Sequence, residues 1–451
     1  MSRFFKLTPA NRIVLWFIAT IAIGTILLAL PISAESGRVS FIDAFFTATS
    51  AVCVTGLTVV DTATTFSTVG EIIIMILIQL GGLGVMIFST MFFLALGERL
   101  STSHRMTIKE VFSGDGRTRI RSIIKATLIL TVVVEAIGTI WLFIPFYSKM
   151  GFFKAFYYAL FHSISGFCNA GFTILENGMS EYQNSVAMLL GLSFLIIIGG
   201  IGFSVISEIA HRFQNINKRI QFTLHTKLVL SMSAILLLTG TTCFYFFEKN
   251  AAFVDYPSHM KWIHSFFQSV TTRTAGFDPV SQVKFTNISI LISILLMIVG
   301  ASPGSTGGGI KTTSFAIILA TVYSRIRGRS GVNIFKRTVS SQSVIKAISI
   351  FILVVFIIFA TTILLMLVEY KFVPHAISKE SALDYFFETV SAFGTVGLTL
   401  GLTPSLSGAG KLVLIIAMFT GRVGLLTLAY LVSRPEGSDR IVYSEESVMI
   451  G

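Results

Sequence analysis

Four glycines carry the first chemical signal in the chain. Gly56 closes the run FTATSAVCVTG that begins at Phe46, and Gly171 closes FHSISGFCNAG from Phe161. Gly276 closes FFQSVTTRTAG from Phe266, and Gly397 closes FETVSAFGTVG from Phe387. In each run a Phe stands 10 residues before the Gly, and Leu or Phe follows it (Leu57, Phe172, Phe277, Leu398). Successive glycines lie 115, 105 and 121 residues apart, so the chain is a fourfold internal repeat. Glycine tolerates the positive φ that turns neighbouring carbonyls to one side. Four such loops meeting at one axis would offer rings of backbone oxygens, from Val54-Thr55-Gly56, Asn169-Ala170-Gly171, Thr274-Ala275-Gly276 and Thr395-Val396-Gly397. Rings of this kind replace the hydration shell of a small cation. A glycine that merely lets helices pack closely is the competing explanation; it suits one copy, not four in the same place.

Each run lies between two long apolar segments, so the elements that must position it are helix, re-entrant loop and helix. Non-helical backbone at membrane depth survives only where protein buries it or where it lines water. The first repeat is expected to have an outer helix at 11–31, a pore loop at 41–60 and an inner helix at 69–95. The second has 124–147, 155–175 and 186–210. The third has 226–247, 262–280 and 286–322, and the fourth has 345–369, 382–402 and 409–433. The fold class is therefore an all-α polytopic membrane protein, with eight spans and four pore loops in pseudo-fourfold array. Repeat units are expected at 1–98, 99–212, 213–330 and 331–434, with a short cytoplasmic tail at 435–451.

Composition agrees: 53% of the 451 residues are hydrophobic and 12% are charged, about half the charged share of soluble domains, and the mean hydropathy is +0.81. The net charge of +12 does not mark a nucleic-acid surface. About 22 Lys and Arg fall in the termini and the segments between repeats, among them Arg99, Arg105, Lys109, Arg212, Lys218, Arg325 and Arg337, against about 9 on the opposite side. Both termini are thus expected inside, with the pore loops entering from outside. Arg3, Lys6 and Arg12 before an apolar run resemble a signal peptide, but 11–31 holds the place of the first helix and reads as retained. About 28 residues between spans two and three form a basic connector suited either to a docking protein or to anionic lipid. Cys53, Cys168 and Cys243 imply no disulfide framework; two of them stand three residues before a repeat Gly and read as packing residues behind the loop. No HExxH, CxxC, catalytic triad or paired-carboxylate spacing is present, which argues against an enzyme.

Three features break the repeat. The inner helix of the third repeat is interrupted by Gly300-Ala301-Ser302-Pro303-Gly304-Ser305-Thr306-Gly307-Gly308-Gly309-Ile310-Lys311. Proline and this density of glycine cannot continue a helix, so a flexible gating loop below the rings is expected. The near-Walker spacing Gly304-x4-Gly309-Ile310-Lys311 is a decoy, because an Ile intervenes and no strand precedes it. Arg422 stands mid-span in the fourth inner helix, where a charge is costly and by default functional; it could raise the barrier to a cation or hold the Gly-rich loop. Glu135 is central in the outer helix of the second repeat and reads as a structural partner across helices. Asp43, Asp384 and Glu388 in the pore-helix runs would lend negative potential to the outer mouth, or are simply solvated acids.

Four helix–loop–helix repeats with one Gly each and a broken third inner helix resemble the Trk/Ktr/HKT superfamily of potassium transporters, over nearly the whole chain. Without extra leading helices, the chain is most similar to the membrane subunits of bacterial Ktr uptake systems. The resemblance implies a plasma-membrane potassium transporter in which Gly56, Gly171, Gly276 and Gly397 match the filter glycines. It also implies a match of Gly300–Lys311 to the intramembrane gate and of Arg422 to the arginine beneath the filter. It further implies a homodimer in the bilayer, seated on a cytosolic ring of RCK-type nucleotide-binding subunits, with potassium as cargo, sodium stimulation and no nucleotide on this chain. An alternating-access cation symporter is the alternative; inverted repeats with paired broken helices would be expected for it, whereas these repeats are parallel and only one inner helix is expected to break.

Overall fold

The computed structural model describes residues 9–97, 116–214, 221–370 and 382–424. Residues 98–115 of the basic connector between the second and third spans, and the C-terminal tail, lie outside these residues. Helices account for nearly all regular structure. In chain order they are α1 (Pro9–Leu28), α2 (Phe41–Cys53), α3 (Thr68–Gly97), α4 (Gly116–Tyr147), α5 (Phe152–Cys168), α6 (Val186–Ile201) and α7 (Phe203–Gln214). There follow α8 (Leu224–Glu248), α9 (Ser258–Thr271), α10 (Asn287–Ile298), α11 (Thr312–Ile326), α12 (Ser341–Val368), α13 (Ala382–Gly394) and α14 (Gly408–Val423). A two-stranded hairpin, β1 (Asn333–Ile334) with β2 (Arg337–Thr338), lies between α11 and α12.

The helices start where the sequence supplies an oxygen to the first free amides. Ser40, Ser185, Thr223, Thr286, Ser340 and Ser407 each accept a bond from the backbone N–H three residues on. Among the described residues five helices (in α1, α3, α4, α8 and α12) are long and apolar enough to cross a bilayer, and α6 with α7 makes a sixth if counted as one bent span. Their outward faces carry exposed Ile, Leu and Phe, such as Ile26, Ile140, Leu238 and Phe356, as a lipid-facing surface requires. The short helices α2 and α13 have 13 residues each, about 20 Å at 1.5 Å per residue and short of the ~30 Å hydrocarbon core.

Packing repeats around the molecule. Each short helix α2, α5, α9 and α13 lies against the long helix before it, and each inner helix also packs on the short helix of the next repeat: α3 on α5, α6 on α9, α10 on α13, and α14 back on α2. The last contact closes a ring. A Phe at the corresponding place in each short helix is fully enclosed: Phe46, Phe161, Phe267 and Phe387. In the third repeat the enclosed residue is Phe267, while Phe266 is only half-buried. The turn between helix and loop is one residue shorter there.

Two expectations change. The third inner helix is broken as expected, into α10 and α11. The second inner helix, expected as one span over 186–210, is also broken, with a 98° bend at Gly202 between α6 and α7. Gly202 has φ 97°, a conformation open to glycine at little cost. The fourth inner helix, expected to continue to 433, is described as far as Val423, with Gly424 at φ 85°. Arg422 is therefore in the last turn of α14, and positions 425–433 lie outside the described residues.

Two glutamates, one buried and one half-exposed, lock outer helices to inner ones. Glu248, the last residue of α8, accepts from Thr286 N (3.0 Å) and Oγ1 (2.7 Å), the N-cap of α10, and from Ala252 N (3.1 Å). Glu369 at the end of α12 accepts from Ser407 N (2.9 Å) and Oγ (2.6 Å), the N-cap of α14.

Candidate ion site at the meeting of the four loops

Each short helix ends in the same backbone device. Val54, Asn169, Thr274 and Thr395 have φ of 55°, 61°, 70° and 50°, and two residues later Gly56, Gly171, Gly276 and Gly397 have φ of 91°, 70°, 75° and 95°. Non-glycine residues in this region are strained, so the loop must be held. The residue before each glycine returns its amide to the helix: Thr55 N to Ser50 O (2.8 Å), Ala170 N to Ser165 O (2.7 Å), Ala275 N to Thr271 O (3.0 Å) and Val396 N to Ser391 O (2.8 Å). The hydroxyls of the same four residues finish the loops. Ser50 Oγ and Ser391 Oγ accept from Gly56 N and Gly397 N (3.1 Å each). Ser165 Oγ and Thr271 Oγ1 donate to Phe172 O (2.8 Å) and Phe277 O (2.7 Å). Sequence reasoning passed over these four residues, although a Ser or Thr stands four residues after each enclosed Phe. Leu57, Phe172, Phe277 and Leu398 are buried and anchor the far side of each loop.

The four glycines adjoin one another in chain order. A Cβ placed on Gly56 would strike Ala170 O, one on Gly171 would meet Ala275 O at 2.7 Å, one on Gly276 would strike Val396 O, and one on Gly397 would strike Thr55 O. The next glycine's Cα lies 3.0–3.1 Å from the same points. Four carbonyls and four glycines thus encircle one axis, at which the C-termini of four helices also point. Helix C-termini carry partial negative charge, so the arrangement favours a cation.

The inner helices fit closely beneath the ring, and they too follow a pattern missed in the sequence. Gly81, Gly199 and Gly421 abut the carbonyls of Val52, Phe167 and Phe393, where a Cβ would collide. Counting Gly300 of the third repeat with them, the residues three further on are Gly84, Gly202, Pro303 and Gly424, and those one further on are Gly82, Gly200, Ala301 and Arg422. The same G-x-x-G stands at 81–84 inside the unbroken α3, so the motif permits the second break without dictating it.

The Gly300–Lys311 segment, expected to be flexible, is almost wholly buried and bonded on several sides. Ser302 N donates to Gly200 O (3.0 Å), Thr306 N to Gly199 O (3.2 Å), and Phe203 N to Gly304 O (3.0 Å). Thr306 Oγ1 donates to Phe167 O (3.3 Å), Ser302 Oγ bonds Thr312 Oγ1 (3.0 Å), and Lys311 Nζ donates to Gly307 O (2.7 Å). Gly307 and Gly308 lie against Thr274 Oγ1 and Thr395 Oγ1, so a Cβ at either would collide. Pro303 turns beside Gly202, Ser305 Oγ bonds Ser302 O (2.5 Å), and Ile310 N donates to Ile298 O (3.2 Å). Gly309 has φ 66°. Arg422 donates through Nη1 to Thr306 O and through Nη2 to Gly81 O at 2.9 Å. Of the two roles considered for it, this geometry is that of a brace on the Gly-rich segment.

Other candidate residues fall elsewhere. Asp43 is tied to Lys411 Nζ at 2.6 Å. Glu388 is not a solvated acid: it is buried and accepts from Thr399 Oγ1, Leu400 N (3.1 Å) and Thr403 Oγ1 (2.6 Å), bracing the loop that follows Leu398. Glu135 accepts from Gln79 Nε2 of α3 (3.2 Å) rather than pairing with a cation. Cys53 and Cys168 are buried behind their loops. No metal-holding cluster of His, Cys, Asp and Glu occurs among the described residues.

Comparison with known proteins gives the family. The TrkH cation transport protein family matches residues 8–442. The Ktr system potassium uptake protein B of Vibrio alginolyticus is 39% identical over 97% of this chain and 94% of its own length. The potassium/sodium uptake protein NtpJ of Enterococcus hirae is 37% identical over 99% and 98%. The solved structure of the potassium transporter TrkH from Vibrio parahaemolyticus superposes with a TM-score of 0.72 over 95% of this chain and 86% of its own, at 18% identity, which speaks for the fold alone. A match of this extent settles the class: the chain belongs to the TrkH family of cation transport proteins, helical multi-pass transporters of the Trk/Ktr kind and not enzymes.

Proposed function

We propose that this chain is the potassium-translocating membrane subunit of a Ktr-type uptake system. The observation that carries the reading is the closed ring of Gly56, Gly171, Gly276 and Gly397 with the carbonyls of Thr55, Ala170, Ala275 and Val396 between them. Those carbonyls, with their neighbours in the four loops, form the filter. The Gly300–Lys311 segment lies under the third and fourth loops as the gate, and Arg422 braces it. Eight spans in four repeats, both termini in the cytoplasm of a bacterial cell, a homodimer, and a cytosolic nucleotide-binding ring that drives the gate complete the assignment. Sodium is a second relevant ion, consistent with the potassium/sodium uptake relative.

The second break at Gly202 favours the alternative of an alternating-access symporter more than the sequence did. The two breaks, however, meet each other at Phe203 and Gly304, beneath a single ring, and the repeats are parallel. Ion flux into proteoliposomes holding this protein alone, comparing potassium, rubidium, sodium and lithium with and without residues 304–309, tests the assignment. Potassium and rubidium flux above sodium, rising on deletion, is expected. Flux indifferent to the deletion would move the gate elsewhere, and strict coupling to a second ion would restore the symporter.

A further inference from the structure

The residue just before the left-handed position is Cys53 in the first loop, Cys168 in the second and Gly394 in the fourth, all small. In the third loop it is Arg273. Arg273 is buried, 9% exposed. Nη2 donates to Ser233 Oγ on α8 at 3.3 Å, and Nε has no protein partner. Beside it is a cavity of about 20 Å³ lined by Ile197, Gly200, Ser233, Val270 and Ala301 among others. That is room for about one water. Among the described residues no carboxylate forms an ion pair with Arg273. A full positive charge therefore sits two residues beyond the C-terminus of α9, at a position that is uncharged in the other three loops, whose helix ends carry partial negative charge; the charges of Arg422 and Lys311 lie beneath the ring, on Thr306, Gly81 and Gly307.

We infer that Arg273 sets the cation affinity of the ring: its buried charge lowers ion occupancy from the third side and makes the fourfold site electrostatically lopsided. This rests on the reading of the ring as the ion site. An unpaired buried charge acts over long distance in a low-dielectric interior. At an effective dielectric constant of about 20 and roughly 10 Å, its removal strengthens monovalent binding about tenfold. Such an effect scales with the charge of the bound ion, so the logarithm of the gain is twice as large for a divalent ion of similar size.

The test is rubidium flux in proteoliposomes, read as apparent affinity for rubidium and as block by barium competing with it. Arg273→Gln and Arg273→Cys are expected to raise rubidium affinity about tenfold and barium affinity about a hundredfold, and Arg273→Lys to keep both near the original. Ser233→Asp, which leaves the arginine in place and neutralises it, should shift both ions the same way; Ser233→Ala, which removes the bond and keeps the charge, should shift neither. Equal shifts for the two ions, or a shift with Ser233→Ala as large as with Ser233→Asp, would reduce Arg273 to a packing residue and overturn the inference. If barium fails to compete with rubidium in the unaltered protein, the ring is not the ion site, and both readings fall together.

Discussion

At the residue scale the ring makes a graded prediction. All four glycines have positive φ, so any side chain costs about 1–2 kcal/mol of backbone strain. The space around them differs. A Cβ on Gly171 meets its nearest carbonyl at 2.7 Å, whereas on Gly56, Gly276 and Gly397 it overlaps one more deeply. Alanine at those three positions is expected to cut the rubidium-to-sodium flux ratio by about tenfold or more, since 1.4 kcal/mol is a factor of ten. Alanine at Gly171 should be the mildest of the four. Comparison of the four flux ratios at matched protein content checks this, and Gly171→Ala as the worst variant would contradict the geometry. The glycines themselves were legible from sequence because no other residue can serve at that backbone angle without strain. Arg422 was legible as an unusual charge, but its bonds to Thr306 and Gly81 were not, because they join residues 116 and 341 positions away.

At the element scale stability should depend on the glutamates that fasten each outer helix to its inner partner. Glu248 is fully buried and holds three donors, so Glu248→Ala strands the N-cap of α10 and should cost about 1–3 kcal/mol. Glu369 is half-exposed and water can replace it, so Glu369→Ala should cost less. Thermal unfolding in detergent measures the order; equal losses would mean that burial does not set the cost. These clamps were invisible in the sequence, since nothing local marks a glutamate as a distant N-cap acceptor. The helices themselves were visible, as long apolar runs. The break at Gly202 lay between these cases. Gly199-Gly200-Ile201-Gly202 reads as a continuous apolar helix until it is aligned with Gly300–Pro303 and Gly421–Gly424. Helix propensity alone charges only about 1 kcal/mol for a glycine, too little to predict a 98° bend that tertiary contacts with Pro303 and Gly304 enforce. Phe266 was misaligned for a related reason: a one-residue shortening of the turn before Thr274 is absorbed at the helix end, and only burial reveals that Phe267 is the equivalent residue.

At the scale of the whole molecule, four repeats joined by three connectors must close a ring whose last seam has no covalent link. α14 packs on α2 across that seam, and Leu414, Ala417 and Met418 share one apolar core with Ala44, Ala48 and Ala51. The ion pair between Lys411 and Asp43 bridges the same seam over 368 residues of sequence. Its side chains are 14% and 17% exposed, so solvent screens it in part and the desolvation of both charges offsets much of the attraction. A double-mutant cycle with Asp43→Asn and Lys411→Met is expected to give a coupling of about 0.2–1 kcal/mol, read from thermal unfolding. The rubidium-to-sodium flux ratio should stay constant across all four proteins. Apolar burial scales with contact area, and the seam's enclosed side chains exceed what one half-screened pair contributes, so the ring should keep its shape without the pair. Loss of ion discrimination in either single variant would reverse that ranking. The seam would then be held electrostatically, and the fourth and first loops would depend on a charge contact near the surface to stay in register.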